Sequence, residues 1–177
     1  MNTTASWKLF APGLAALAFV AGGCHFNVDT TAKEDLANYT VEMHIVGINP
    51  SEMQTWKEYS VTQYFKPGDP QRESAVRAGY AHVLRFGPGL GNRQVLKKDN
   101  PVWRKWDGRN AKYLVVMAFL PGYSEKDDKP GNKDPRRKIL PYEGKSWDWF
   151  YWGMDLIKLE VSHAGVTCLT PCKMMIE

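Results

Sequence analysis

Three cysteines, Cys24, Cys168 and Cys172, are the side chains whose spacing most directly announces chemistry in this 177-residue chain. In "TCLTPCK" two thiols flank a turn carrying Pro171, and they can close a small disulfide loop if their Cα atoms come within about 4.4–6.8 Å. Two unpaired thiols near the chain end are the other reading of the same residues. Zinc is not signalled, because no histidine or second cysteine pair stands nearby to complete four ligands. That leaves Cys24 as an odd cysteine, which in an exported protein needs a use of its own.

The remaining reactive side chains do not form a familiar constellation. A hydrolase needs a nucleophile, a base and an orienting group that converge, yet no serine lies in G-x-S-x-G. His25, His44, His82 and His163 show neither H-x-x-x-H nor H-E-x-x-H spacing, so no metal site is indicated. Asp148 and Asp155 could pair in space, but so could many of the 19 acids. The glycines of "FGPGLGN" would need a helix opening from them to cradle a phosphate. Pro88 and "RQVLKKDNP" follow instead, so a loop is expected there. We expect a protein that is not an enzyme, with no catalytic residues, metal or cofactor.

Cys24 closes "VAGGC", which follows an uncharged run from Leu9 to Gly23 behind a single basic residue, Lys8. The pattern resembles the bacterial lipoprotein signal, with Ala21 at a position where Leu is usual. It implies that the Cys24 thiol carries diacyl lipid (palmitate-type chains) and that residues 1–23 are a signal peptide. Ordinary secretion with cleavage nearby, or an N-terminal helix buried in the fold, are the alternatives. The run falls short of the roughly 20 apolar residues that cross a bilayer, and Pro12 and Gly13 interrupt it. Two or three acyl chains at ~0.8 kcal/mol per buried methylene make such an anchor effectively permanent. His25 follows, not the Asp that retains lipoproteins in the inner membrane, so the expected location is the periplasmic face of the outer membrane. An oxidising periplasm would also permit the Cys168–Cys172 pair.

Removing residues 1–23 from 177 leaves 154 residues, enough for one domain with a core. Without Lys8 the balance is 22 basic against 19 acidic residues, too mild to argue for nucleic acid. The basic residues of "VLKK", "WRKW" and "DPRRK" read as solvated loops.

Stepping along the chain, residues 24–38 read as a tether after the lipidated cysteine, and residues 39–177 as a single folded body. "YTVEMHIVGIN" alternates with a period of two and predicts a strand with His44 facing outward. Ser51 and Gln54 form a capping-box pattern that predicts a short helix. "YSVTQYF" reads as a second strand, ended by "KPGDP". Asp69 and Pro70 then open a helix that Gly79 closes. "YAHVLRFG" is a strand, and "AKYLVVMAFLPG" is one buried on both faces or packed between sheets. "YSEKDDKPGNKDPRRK" reads as a long solvated excursion, and "ILPYEGKSW" as an edge strand. "MDLIKLEVSHAGVTCL" predicts a closing hairpin. The sum is an all-β, two-sheet antiparallel β-sandwich with one or two short inserted helices.

"KSWDWFYWGMD" crowds Trp147, Trp149, Phe150, Tyr151 and Trp152 into six positions. An aromatic core, a partner-binding patch, a sugar-stacking platform and a surface lying on lipid headgroups all fit that composition. A lipoprotein that binds a small molecule or glycan through this run is the alternative function.

The body resembles the outer-membrane lipoprotein of bacterial type VI secretion systems (the TssJ-like family). The residues that carry the resemblance are "INPS" after the first strand, "YSVTQYF", "AKYLVVMAFLPG" and the hairpin "LIKLEVSHAGVTCL". The "EKDDKPGNKDPRRK" and "FGPGLGN" segments stand outside it. The resemblance implies a transthyretin-like sandwich and a non-enzymatic scaffold subunit anchored in the outer membrane. Its partner would be the periplasmic end of a large inner-membrane secretion subunit, bound through the loop between the first two strands. Here that loop is "GINPSEMQTWKE", with Met53 and Trp56 as candidate apolar anchors. Trp149 and Tyr151 are the further partner-binding candidates. Trp56 has a second reading, as a staple holding the loop to the sandwich.

Overall fold

Strand β1 (Asn27–Ala32) begins three residues after Cys24 and hydrogen-bonds to a neighbour on each side. The computed structural model describes residues 25–141 and 156–170. In that part Val28, Thr30 and Ala32 point inward and Asn27, Asp29 and Thr31 outward, a period of two that Thr and Ala make faint in the sequence. The expected tether therefore does not hold for this stretch: β1 is an interior strand, and Leu36, in the one-turn helix that follows, is also buried.

The other strands are β2 (Val41–Ile48), β3 (Ala81–Phe86), β4 (Arg93–Leu96), β5 (Tyr113–Phe119), β6 (Arg137–Pro141), β7 (Leu156–Ser162) and β8 (Gly165–Cys168). They form two four-stranded sheets, ordered β4-β1-β7-β8 and β3-β2-β5-β6. All pairs are antiparallel except β1 with β7, which is parallel from Asn27↔Leu156 to Ala32↔Val161. The two-sheet sandwich with short helices is thus the architecture, with one parallel pair added to it.

Between the sheets lies a core that includes Val28, Met43, Ile45, Phe86, Leu114, Val116, Ile157 and Val161. The second sheet is buried on its outer face as well. Helices α1 (Met53–Glu58) and α2 (Val61–Tyr64) bring Trp56, Val61 and Tyr64 onto Val46, Ile48, Val115, Met117 and Ile139. This double burial explains the unbroken apolar run of β5.

Two segments depart from their sequence reading here. "YSVTQYF" is not a strand: Ser60 caps α2, its Oγ accepting from the Gln63 N–H at 2.8 Å. The signature S-x-x-Q was present but masked by aromatic and β-branched neighbours. At α1 the N-cap position is Glu52, with no side-chain cap, and a reciprocal pair two residues earlier than Ser51 and Gln54 closes the turn before the helix. Asn49 Oδ1 accepts from Glu52 N–H at 3.1 Å, and Glu52 Oε2 accepts from Asn49 N–H at 3.0 Å.

Helix α3 (Pro70–Arg77) forms as its signals predict, with Asp69 Oδ1 accepting from Arg72 N–H at 2.8 Å. Helix α4 (Val102–Gly108) replaces the solvated loop expected for "WRKW". Val102, Trp103 and Trp106 share its buried face and plug one end of the sandwich. Gly47 is what lets α4 approach, since a Cβ there would lie 2.3 Å from Trp106 Cγ.

The excursion after β5 is not solvated throughout. Asp134, Arg136 and Arg137 are 0%, 3% and 1% exposed. Buried guanidinium groups must find acceptors, and these do. Arg137 donates to the carbonyls of Gly131 (3.0 Å), Trp56 (3.0 Å), Tyr59 (2.6 Å) and Lys129, so one side chain ties the excursion to the α1–α2 corner. Arg136 meets Asp134 at 2.8 Å and Asp128 at 2.5 Å and also donates to Thr62 Oγ1 at 2.8 Å.

Candidate functional site

The residues singled out in the sequence fall in different places. Cys24, Cys172, Trp149 and Tyr151 lie outside the described residues. Cys168 ends β8 half-buried, its Sγ 3.5 Å from the Thr170 carbonyl oxygen. Met53 is half-buried at the start of α1. Trp56, offered as an exposed anchor, is only 2% exposed and packs against Tyr64 with ring centroids 5.8 Å apart. The staple reading is the one its geometry fits, because α1 covers the outer face of the sheet with its apolar side.

The first residues after Cys24 make a joint that no sequence pattern announced. Phe26 is buried, its ring edge-on to Trp103 at 5.0 Å. His25 stacks on Trp103 as well, with ring centroids 5.5 Å apart, and its Nε2 lies 2.7 Å from Asp107 Oδ2. Trp103 and Asp107 are one helical turn apart on α4, so a single face receives both contacts. Asn27 continues the joint: its Oδ1 accepts from Lys98 N–H at 2.9 Å. Trp103 is itself fixed, its Nε1 donating to the Lys97 carbonyl at 2.9 Å.

Around β2 lies a second arrangement of titratable groups. His44 points away from the intersheet core, as the alternation of β2 predicts, but α2 and Phe65 cover that face and leave it 1% exposed. His44 Nε2 lies 2.9 Å from Glu42 Oε1, and its Nδ1 lies 2.8 Å from the Tyr64 hydroxyl. Burial lowers the His44 pKa against the pull of Glu42, so the ring is neutral near pH 7. Burial also pushes the Tyr64 hydroxyl up, which keeps it a donor. The consistent tautomer carries its proton on Nε2, donating to Glu42 and accepting from Tyr64. Burial would raise the Glu42 carboxyl, but hydrogen bonds from Arg85 (2.9 Å), Arg72 (2.5 Å) and His44 outweigh it and bring it to about 2.

This Tyr–His–Glu chain links α2 to β2 through His44. Both ring nitrogens are occupied, Nδ1 by buried Tyr64 and Nε2 by Glu42, which is half-buried at the edge of a cleft. The neighbouring open cleft of about 290 Å³ is lined by charges of both signs, including Glu42, Asp69, Glu73, Arg72, Arg77 and Arg85. Tyr64 on His44 and Arg72 on Glu42 pin α2 and α3 to β2. Among the described residues no three His, Cys, Asp or Glu side chains gather to hold a metal ion.

No protein-family model matches the chain, and no curated protein matches it. Solved structures do. The chain is similar to Serratia marcescens Lip, described as a membrane-bound component of the type VI secretion system. The identity is 11% and the TM-score 0.46, covering 82% of this chain and 95% of that one. It is also similar to the type VI secretion lipoprotein TssJ1 from Pseudomonas aeruginosa. There the identity is 10% and the TM-score 0.38, over 81% of this chain and 93% of that one.

Proposed function

We propose that this protein is a lipid-anchored subunit of a cell-envelope complex of the type VI secretion kind, held on the periplasmic face of the outer membrane and working by binding rather than catalysis. The observation that carries the reading is the joint at the start of β1. The folded body takes up the chain at His25 and Phe26, directly behind the cysteine at which "VAGGC" would be cut and acylated. The resemblance set out above supports the partner class, an inner-membrane secretion subunit with a periplasmic end. With Trp56 turned inward, the contact assigned to the 47–58 loop falls to half-buried Met53 and to Gln54, Thr55 and Glu58, which are exposed. Trp149 and Tyr151 of the aromatic run are assigned to the same contact.

Intact-mass analysis of protein extracted from membranes, beside a Cys24→Ala variant and under thiol blocking, tests the anchor and the Cys168–Cys172 pair together. The expected species starts at Cys24 with added acyl mass and takes up blocking reagent at Cys168 and Cys172 only after reduction. A chain retaining residues 1–23 would overturn the proposal. Photo-crosslinking from position 54 in intact envelopes should capture an inner-membrane protein, and capture of none would remove the partner assignment.

A further inference from the structure

We infer that the end of the sandwich carrying Lys97, Lys98 and Arg104 is a lipid-facing surface that rests on anionic headgroups. The inference depends on acylation at Cys24, the anchor of the proposed function. Phe26 is buried and His25 is held by Trp103 and Asp107. Only the bonds from Cys24 to His25 are then left to separate the acylated residue from the fold. At about 3.5 Å per residue, the Cys24 Cα lies within about 7 Å of the Phe26 Cα. That is less than the Debye length of about 8 Å at physiological ionic strength.

An anchor this short decides which side of the molecule meets the membrane. Val28 pairs with Leu96 in antiparallel register, which puts Lys97 level with Asn27 and Lys98 level with Phe26. Arg104 follows Trp103 on α4, the helix that receives His25. Lys97, Lys98 and Arg104 are exposed, and none of the three makes a side-chain ion pair among the described residues. Among the described residues Asp99 is the exposed acid beside them in the chain, while Asp107 is engaged by His25. Three cations with no ion-pair partner among the described residues, fixed within reach of an acyl anchor, match a surface of anionic lipid. They do not need a built pocket to do so, since polybasic attraction acts through charge density. The opposite end of the sandwich carries the 87–92 turn, the β7–β8 turn and residues 120–127, and it would face away from the bilayer.

The test uses the acylated full-length protein, purified from membranes and reconstituted in vesicles, with amine-reactive labelling read out lysine by lysine. Phosphatidylglycerol-rich vesicles are compared with phosphatidylcholine vesicles and with nonionic detergent. Lys97 and Lys98 should label about fivefold more slowly on the anionic vesicles, the change expected for ~1 kcal/mol per basic residue at such a surface. Lys33 and Lys126, at the far end, should not change. Equal labelling of all four lysines in all three settings overturns the proposal. Slow labelling of Lys97 and Lys98 that persists in detergent means a second copy of the chain covers them, and also overturns it. If the purified chain carries no acyl group on Cys24, the anchor reading fails first, and mass analysis separates that outcome from a freely labelled but acylated protein.

Discussion

The Tyr64 hydroxyl sits 2.8 Å from His44 Nδ1 in a site where Tyr64 is 0% and His44 1% exposed. A buried acceptor that loses its donor pays most of its desolvation cost. Tyr64→Phe should therefore destabilise the protein by about 1–3 kcal/mol, although it removes a single oxygen. Thermal unfolding checks the size. Nitrogen chemical shifts of His44 should report the Nε2-protonated tautomer in the parent protein, and an Nδ1-protonated ring would contradict the assigned network.

Acid should weaken the same corner in two stages. The His44 pKa is lowered on folding, so its contribution is complete above the ordinary value of 6.5 and declines as pH falls below it. Glu42 is lowered from 4.5 to about 2, so its contribution is lost as pH falls from 4.5 toward 2. The Glu42→Gln variant should lose on the order of 2 kcal/mol at pH 7 after allowing for solvent screening. The gap to the parent should narrow steadily below pH 4.5. A gap that stays constant down to pH 2.5 in urea titrations would mean that the three donors do not hold the carboxylate as described.

Arg137 lends itself to a local readout. Arg137→Met keeps much of the volume but leaves the carbonyls of Gly131, Trp56, Tyr59 and Lys129 without their shared donor. Because several acceptors go unsatisfied inside the fold, a loss of about 3 kcal/mol or more is expected. Hydrogen exchange should quicken over 53–64 and 129–137 and stay unchanged in β1 and β7. Uniform quickening would show a global effect instead.

Gly47 measures how closely α4 is seated. Gly47→Ala puts a methyl 2.3 Å from Trp106 Cγ, inside a core where neither strand nor indole can move freely. Overpacking of this kind costs about 1–3 kcal/mol. Adding Trp106→Leu should recover part of that loss relative to Trp106→Leu alone, and a double-mutant cycle gives the coupling.

The sequence was most legible where a period was strong and chemically pure. Strands β2 and β5 and the β7–β8 hairpin are carried by Val, Ile, Leu and Met, and the Asp69–Pro70 start of α3 is a local cap that does not depend on distant residues. Strand β1 escaped because its inward positions include Thr30 and Ala32, which carry little hydrophobic contrast. In α2 the β propensity of Val61, Thr62, Tyr64 and Phe65 hid a cap at Ser60 that outweighed it. Helix α4 went unread because its basic residues drew attention from Trp103 and Trp106 at i and i+3. The orientation of His44 followed from alternation alone, but its burial did not, since its cover comes from another segment. For the same reason the joint of His25 and Phe26 with α4, 82 positions away at Asp107, could not be seen in one dimension.

The parallel pairing of β1 with β7 also sets an order of events. About 130 residues separate the two partners, so loop closure makes this a slow contact to form. During synthesis the N-terminal strand emerges first and must wait, unpaired on that side, until nearly the whole polypeptide has been made. Any chain stopped before residue 156 would strand β1 beside β4 alone, with an open edge. Completion of synthesis is thereby built into assembly of the first sheet, and truncated products should be recognised by proteases as unfinished.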